Sequence, residues 1–178
     1  MSSRGATDRP PPKVITATVT TPFERLARAI AFAVPALLLG GAYIGEYAFD
    51  LYPCEMCWWQ RWPHFAAIAF ALLSTLAAPQ RLWVAIAAGG IAISGLIGAF
   101  HAGVEYGWWE GLTSCASAVD MSGGDPLEAV MGAPVIRCDS APWSLLGISL
   151  AGWNFLISLI AATAIFWLLL RGRNGTGA

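Results

Sequence analysis

Four long apolar stretches, separated by shorter polar segments, dominate the hydropathy pattern of the chain. A bilayer core about 30 Å thick requires about 20 mostly apolar residues in a helix, and the chain offers four such stretches. The third and fourth are rich in Gly, Ala and Ser, small residues that allow membrane helices to approach closely. The pattern predicts an all-α integral membrane protein, a four-helix bundle with spans at about residues 26–49, 58–78, 82–104 and 145–170.

The second stretch requires an adjustment, because its uninterrupted apolar part, residues 64–78, is too short to cross a bilayer. A crossing helix is therefore expected to begin earlier, near Cys57 or Trp58. Pro63 then falls in the second turn, where it would kink the helix unless neighbouring groups satisfy the freed carbonyl. This start places a C-x-x-C pair, Cys54 and Cys57, at the membrane edge.

The composition agrees with a membrane protein and argues against a nucleic-acid partner. Hydrophobic residues make up 57% of the chain and charged residues only 12%, which is too apolar for a soluble domain with a polar surface. The formal net charge is -1, whereas a phosphate-binding surface needs an excess of cations. The chain also has nine Trp, a residue that collects at the boundary between water and lipid. We therefore expect a lipid bilayer around the protein and no nucleic acid bound to it.

The cationic residues are distributed asymmetrically about the predicted spans. Eight of the ten Lys and Arg residues lie in the two tails, at the adjoining ends of the first and last spans, or in the short turn between the second and third spans. The positive-inside rule assigns this face to the cytoplasm, so both termini are predicted to be cytoplasmic. The opposite face then carries two loops, at about residues 50–57 and 105–144.

The ends of the chain differ from its apolar centre. Residues 1–24 are mostly polar and include three consecutive prolines, which predicts a disordered cytoplasmic tail. Residues 25–171 form the predicted transmembrane domain, and residues 172–178 form a short cytoplasmic tail.

All four cysteines fall in the two loops of the outer face. Cys54 and Cys57 lie in the first loop, and Cys115 and Cys138 lie in the second. In an oxidising compartment such thiols tend to form disulfides. For Cys115 and Cys138 a structural disulfide that closes the long loop is a plausible alternative to a redox role. A zinc ion bound by all four cysteines is a weaker alternative, because the second pair is not closely spaced in sequence. We therefore predict no metal site.

The C-x-x-C pair carries a stronger indication of redox chemistry. Arg61 lies four residues beyond Cys57, which places it on the same helical face, one turn deeper. A nearby cation and the positive end of the helix both favour a thiolate at Cys57. The competing interpretation of Arg61 is an interfacial arginine whose side chain extends to lipid headgroups.

These motifs together resemble the DsbB family of disulfide bond formation proteins. The resemblance rests on CEMCWWQR, on a second loop that contains TSC and IRCD, and on the following WSLLGISLAGWNFL, and it covers roughly residues 25–170. It implies a four-helix enzyme of the bacterial inner membrane whose cysteines face the periplasm. Such an enzyme reoxidises a periplasmic DsbA-like thiol oxidase and passes the electrons to a membrane quinone, either ubiquinone or menaquinone.

The resemblance also implies a role for each matching residue. Cys54 and Cys57 would be the pair that the quinone reoxidises, with Cys57 next to the quinone and Arg61 holding it. Cys115 would form the mixed disulfide with the DsbA-like partner. Cys138 would complete the second pair and exchange with Cys54.

The two histidines are further candidates. His64 lies three residues beyond Arg61 and is a candidate for delivering protons to the reduced quinone, although a histidine at the end of a span is more often interfacial. His101 has Glu105 four residues beyond it, which predicts a pair on one helix face. An ionisable group inside a span indicates a functional site by default.

Two other functions remain open at this point. A vitamin-K-epoxide-reductase-like enzyme also combines a helical bundle, a quinone and a C-x-x-C motif, but in that family the motif lies late in the chain. The second alternative is a non-enzymatic membrane protein with a disulfide-stapled outer loop, in which the C-x-x-C has no function.

Overall fold

A computed structural model describes residues 21–112 and 136–174. Within these ranges the chain forms four helices, which we number in chain order: α1, Pro22–Ala48; α2, Glu55–Leu76; α3, Gln80–Glu105; and α4, Leu150–Asn174. Two very short strands, β1 (Ser144–Leu145) and β2 (Ile148–Ser149), pair in an antiparallel hairpin just before α4. The predicted all-α four-helix bundle is confirmed.

Three of the four helices are long and apolar enough to cross a membrane, namely α1, α3 and α4. Helix α2 was predicted as a span but is not among them, although it has 22 residues. The reason is its polar first half, where Gln60, Arg61 and His64 are all buried inside the protein. Neighbouring helices surround these side chains, so α2 carries its polar groups towards protein and not towards lipid.

The ends of the helices differ from the predicted boundaries because of local capping. Thr21 and Glu24 form a capping box, with hydrogen bonds of 3.1 and 3.2 Å, and Pro22 occupies the first turn, so α1 begins inside the predicted tail. Helix α2 begins at Glu55 and not near Cys57, because the Cys54 sulfur accepts a hydrogen bond from the backbone N–H of Cys57 (3.3 Å). Cys54 is thus the N-cap of α2.

The first turn of α1, the α2–α3 turn and the last turns of α4 meet at one end of the bundle, which we call the terminal end. Arg81 joins these elements: it forms an ion pair with Glu24 (3.1 Å) and donates a hydrogen bond to the backbone carbonyl of Leu169. Arg28 of α1 also donates a hydrogen bond to Gln80 of α3 (2.9 Å).

A core of small and branched apolar side chains fills the bundle next to the terminal end. Its buried members are Ala27, Ala31, Ala67, Ala71, Val84, Ala87, Ala88, Ile91, Ala161, Ala162, Ile165, Leu168 and Leu169. So many alanines allow the helix backbones to lie close together, as in other membrane helix pairs.

The opposite end, where the C-x-x-C pair lies, is called the cysteine end. Here α3 and α4 approach so closely that a β-carbon on Gly98 would lie 2.8 Å from the carbonyl oxygen of Ala151, and one on Gly95 would lie 2.9 Å from Ser158. The hydroxyl of Tyr106 closes this end by donating a hydrogen bond to the carbonyl oxygen of Gly147 (3.1 Å). The close packing expected from the small residues of the third and fourth stretches is therefore present.

Candidate functional site

Three of the four cysteines can be placed, and they lie together at the cysteine end. Cys54 and Cys138 are 4% and 5% exposed and belong to one buried cluster, against which Cys57 also packs. The other members of that cluster are Met56, Val104, Phe100 and Ile136. Cys115 lies outside the described residues. The fold thus brings a cysteine of the second loop against the C-x-x-C pair.

The two cysteines of the C-x-x-C pair are free thiols in direct contact. Their sulfur atoms lie 2.9 Å apart, close enough for one to donate a hydrogen bond to the other. The hydrogen bond to Cys57, followed by burial, raises the pKa of Cys54 from 9.0 to about 12, although His101 acts in the opposite direction. Cys54 therefore keeps its proton at neutral pH, and the arrangement favours Cys57 as the sulfur that carries negative charge.

His101 of α3 lies directly beside Cys54. Its Nε2 atom is 3.6 Å from the Cys54 sulfur and 3.8 Å from Oε1 of Glu105, and the residue is only 2% exposed. The predicted pair of His101 and Glu105 is therefore present, and both side chains are buried. The other carboxylate oxygen of Glu105 has no hydrogen-bond partner among the described residues.

A chain of hydrogen bonds leads from His101 into the bundle. Gln60 of α2 donates through Nε2 to Nδ1 of His101 (2.8 Å), and its Oε1 accepts from Nδ2 of Asn154 on α4 (2.8 Å). Oδ1 of Asn154 accepts from Nε2 of His64 (2.9 Å) and from the Ser158 hydroxyl (3.1 Å). This chain of hydrogen bonds joins side chains of α2, α3 and α4, and most of these side chains are buried.

His64 occupies a different position from the one predicted for an interfacial histidine. It is 3% exposed and turned towards α4, and its Nδ1 atom has no hydrogen-bond partner among the described residues. A buried, unpaired acceptor is costly, so it marks a place where a donor from a ligand or a water molecule would be favoured.

Arg61 lies one turn beyond Cys57 on α2, as predicted, but its guanidinium points to α1. It forms an ion pair with Glu46 (2.6 Å) and lies over the rings of Tyr43 (4.8 Å) and Trp58 (4.9 Å). Arg61 is only 6% exposed, so its side chain does not extend outwards to headgroups, and that interpretation was wrong. The aromatic rings and the carboxylate hold the cation in a fixed position.

The sequence reasoning missed four residues of this region. They are Glu46, Gln60, Ser94 and Asn154. A signal existed for Glu46 and Asn154, because each is a polar residue within a predicted apolar span, and such residues usually face the interior of a bundle. The pattern did not reveal which partners they would meet.

Three possible metal ligands lie close together, but the surroundings of His101 do not suit a metal. The sulfurs of Cys54 and Cys57 and a ring nitrogen of His101 lie within 4.8 Å of one another. A histidine that binds a metal through Nε2 normally donates a hydrogen bond from Nδ1 to an acceptor. Here Nδ1 faces the amide N–H of Gln60, which is itself a donor, so coordination through Nε2 would require this contact to break.

A membrane bundle that buries a C-x-x-C pair against a third cysteine defines a class of membrane thiol–disulfide proteins. The particular family follows from sequence comparison: the family model described as disulfide bond formation protein DsbB matches residues 24–168. The chain belongs to this family, which confirms the resemblance found in the sequence. The protein is therefore a membrane protein of disulfide bond formation.

Individual relatives give the same result. The chain is similar to disulfide bond formation protein B of Verminephrobacter eiseniae, with 31% identity over 163 residues that cover 85% of this chain and 89% of the relative. It is also similar to the protein of that description from Aromatoleum aromaticum, with 29% identity covering 81% and 91% of the two chains. No solved structure matches the chain with comparable significance.

Proposed function

We propose that the protein is a thiol:quinone oxidoreductase that reoxidises a DsbA-like thiol oxidase and passes the electrons to ubiquinone or menaquinone. The observation that supports this most directly is the burial of Cys138 against the C-x-x-C pair. Thiol–disulfide exchange requires one sulfur to attack another, so the two sulfurs must meet. A staple whose cysteines served only the second loop would not need Cys138 at this position.

The exchange steps follow from this arrangement. The partner's thiolate attacks Cys115 of a Cys115–Cys138 disulfide, and the electron pair of the broken bond goes to Cys138. Cys138 then attacks Cys54 of the oxidised C-x-x-C pair and releases Cys57 as a thiolate. The partner's second thiolate then attacks the partner's own sulfur in the mixed disulfide and releases Cys115 as a thiolate. Cys115 attacks Cys138 and releases Cys54 as a thiolate. Each step forms one S–S bond and breaks one, so the partner leaves oxidised and the C-x-x-C pair is left reduced.

The surroundings of Arg61 fit the head group of a quinone. Arg61 supplies N–H donors for a carbonyl oxygen, and the rings of Tyr43 and Trp58 provide flat apolar surfaces beside it. Arg61 is also on the same helix as Cys57, one turn away. When bound, a quinone accepts two electrons and two protons. The role of the protein is to bring Cys57 to membrane depth and to hold the guanidinium in place through Glu46.

This function requires the cysteine end to face an oxidising compartment. We propose that the protein lies in the bacterial inner membrane, with both termini in the cytoplasm and the cysteines towards the periplasm. The concentration of Arg residues at the terminal end supports this orientation, because cytoplasmic segments are enriched in cations.

The decisive experiment measures electron transfer by the purified protein in detergent. A reduced DsbA-like protein and a soluble quinone analogue are added, and quinone absorbance and partner thiols are followed together. We expect stoichiometric loss of both with the unmodified protein, and only the background rate with Cys54→Ser or Cys138→Ser. Thr75→Ala, an exposed change near the terminal end of α2, is the matched control and is expected to retain full activity.

Two results would overturn the proposal. If several DsbA-like partners gave no quinone reduction, the protein would be a structural membrane protein with a closed loop. If Cys138→Ser retained activity while Cys54→Ser lost it, the C-x-x-C pair would take electrons directly from substrate, and Cys138 would have no part in the relay.

A further inference from the structure

Two contacts with backbone carbonyls fix the donor and acceptor roles in the hydrogen-bond chain that links His101, Gln60, Asn154 and His64. Nε2 of Gln60 lies 3.2 Å from the carbonyl oxygen of Met56, and Nδ2 of Asn154 lies 3.2 Å from the carbonyl oxygen of Ser94. A backbone carbonyl can only accept a hydrogen bond. Both side-chain amides therefore have their NH2 groups on the side of these carbonyls, and their orientation is fixed.

This orientation determines the tautomer of His101. Because the NH2 group of Gln60 donates to Nδ1 of His101, that nitrogen must present its lone pair. The ring proton of neutral His101 is then on Nε2, the atom that lies beside the Cys54 sulfur and Glu105. His101 consequently faces Cys54 as a hydrogen-bond donor, and it has no lone pair there with which to remove a proton.

The opposite polarity would place the amide oxygens of Gln60 and Asn154 against the backbone carbonyl oxygens of Met56 and Ser94, where neither oxygen can donate a hydrogen bond. If every hydrogen bond in the chain were reversed, His101 would donate from Nδ1 to Gln60, Gln60 would donate to Asn154, and Asn154 would donate to His64. The carbonyls of Met56 and Ser94 would then lose these side-chain donors. Losing hydrogen bonds inside a bundle is unfavourable, so the observed direction is preferred.

A hydrogen-bond donor beside Cys54 would assist one step of the proposed thiol–disulfide exchange. When Cys115 attacks Cys138, the electron pair of the Cys138–Cys54 bond passes to the Cys54 sulfur, which becomes negatively charged. The Cys57 sulfur, 2.9 Å away in the described structure, already carries a negative charge at that stage. Two adjacent thiolates repel each other, so release of Cys54 needs a donor that stabilises the new charge.

We propose that Gln60 and Asn154 are positioning residues that hold His101 in the tautomer with its proton on Nε2, so that His101 donates a hydrogen bond to Cys54 as this sulfur is released. The inference rests on the proposed exchange at Cys54. It assigns no proton transfer to His101. Among the described residues, the charged or titratable groups close to the histidine are Cys54, Cys57 and Cys138 from neighbouring elements and Glu105 from its own helix.

The tautomer can be measured directly, because the chain has only two histidines. We would label the full-length reduced protein with 15N-histidine and record nitrogen chemical shifts, which distinguish a protonated from an unprotonated ring nitrogen. His64→Asn assigns the two sets of signals. We expect His101 to have its proton on Nε2. A proton on Nδ1 of His101 in the unmodified protein would overturn the proposal.

Gln60→Glu tests whether Gln60 sets the tautomer. A carboxylate can only accept, so it would favour a proton on Nδ1 of His101. We expect that proton to appear in the nitrogen spectrum and the release of Cys54 in single-turnover exchange with the reduced partner to slow about tenfold, as for the loss of a hydrogen bond to a charged group. An unchanged tautomer, or an altered tautomer with an unchanged exchange rate, would contradict the proposal.

Two further variants keep the test decisive. Asn154→Asp removes the donor to Gln60 from the other side and is expected to move the His101 proton in the same way, so it replaces Gln60→Glu if that protein does not fold. Ser74→Ala is the matched control: it removes a buried hydroxyl that, among the described residues, donates to Ala71 of its own helix, and it should change neither the spectrum nor the rate. Because the tautomer is measured without a quinone, failure of quinone reduction would be recognised separately as failure of the proposed function.

Discussion

The same four helices form both ends of the bundle, but the side chains that fill the interior differ between the two ends. Near the terminal end the interior is almost entirely alanine, valine, isoleucine and leucine, and the charged groups are at the rim. At the cysteine end the interior contains two histidines, a glutamine, an asparagine and an arginine, all joined to partners across helices. The first region needs only close packing, whereas the second also requires hydrogen-bond partners for most of its buried polar groups.

This difference shows how buried polar side chains can be accommodated inside a membrane bundle. Polar groups are costly inside a membrane protein unless they are paired, and the pairing at the cysteine end depends on residues from all four helices. The apolar core holds those helices at fixed distances. Small shifts of the helices at the cysteine end would separate the Cys54 sulfur from His101, so packing near the terminal end also helps to maintain the geometry of the candidate site.

Of the differences expected between the two regions, the largest is the low reactivity of the Cys54 thiol at the cysteine end. In a protein with Cys115→Ser and Cys138→Ser, alkylation of Cys54 should be about fiftyfold slower at pH 8 than for an ordinary cysteine. Only the thiolate reacts, and its greater nucleophilicity offsets only part of its about thousandfold lower fraction. With a pKa of about 12, its rate should continue to rise with pH well beyond 9. Mass spectrometry of the labelled peptide over pH 7 to 11 gives the profile.

The same profile tests the cause of the shift. Cys57→Ala removes the hydrogen bond that contributes most to the raised pKa, so the profile of Cys54 should move to lower pH and the rate at pH 8 should increase. A rate that is low but already levels off near pH 9 would mean that burial limits access and that the thiol itself is ordinary.

The next effect concerns the packing of α3 on α4. Gly98→Ala would place a methyl group 2.8 Å from the backbone carbonyl of Ala151, and backbone cannot move aside easily. We expect it to lower the free energy of unfolding by about 2 kcal/mol, as is typical for overpacking. Gly89→Ala is the control, because a methyl group there would contact nothing within 4 Å. Thermal unfolding in detergent should separate the two variants, and equal stability would show that α4 can shift.

The fold was predictable from the sequence because it depends on the length of apolar runs. Residues 22–48, 80–105 and 150–173 each form a helix long and apolar enough to cross a membrane, close to the stretches expected. The start of α2 was predicted too late, because cysteine is not among the residues that usually cap helices. Nothing in the pattern indicated that the sulfur of Cys54 would accept the N–H of Cys57.

The candidate site was only partly predictable, because it depends on how each helix is rotated. The i, i+4 spacing placed Arg61 beneath Cys57, and the same spacing joined His101 to Glu105. The contacts of Gln60 with His101 and Asn154 span 41 and 94 residues of sequence, and no local pattern encodes such distances. The packing of Cys138 in one cluster with Cys54 likewise joins residues that are far apart in sequence.

The smallest expected difference between the two ends is in the kinetic effect of replacing one arginine at each end by lysine. Arg61→Lys keeps the charge but loses the planar guanidinium between Tyr43 and Trp58, so we expect the KM for a quinone analogue to rise about tenfold, with a smaller change in kcat. Arg81→Lys changes the partly exposed ion pair with Glu24 at the terminal end, and it should leave both constants within about twofold. Steady-state kinetics at saturating reduced partner measure the two constants. If both variants raised KM equally, Arg61 would act through the stability of the bundle; if only Arg61→Lys did so, its guanidinium would be part of the quinone site.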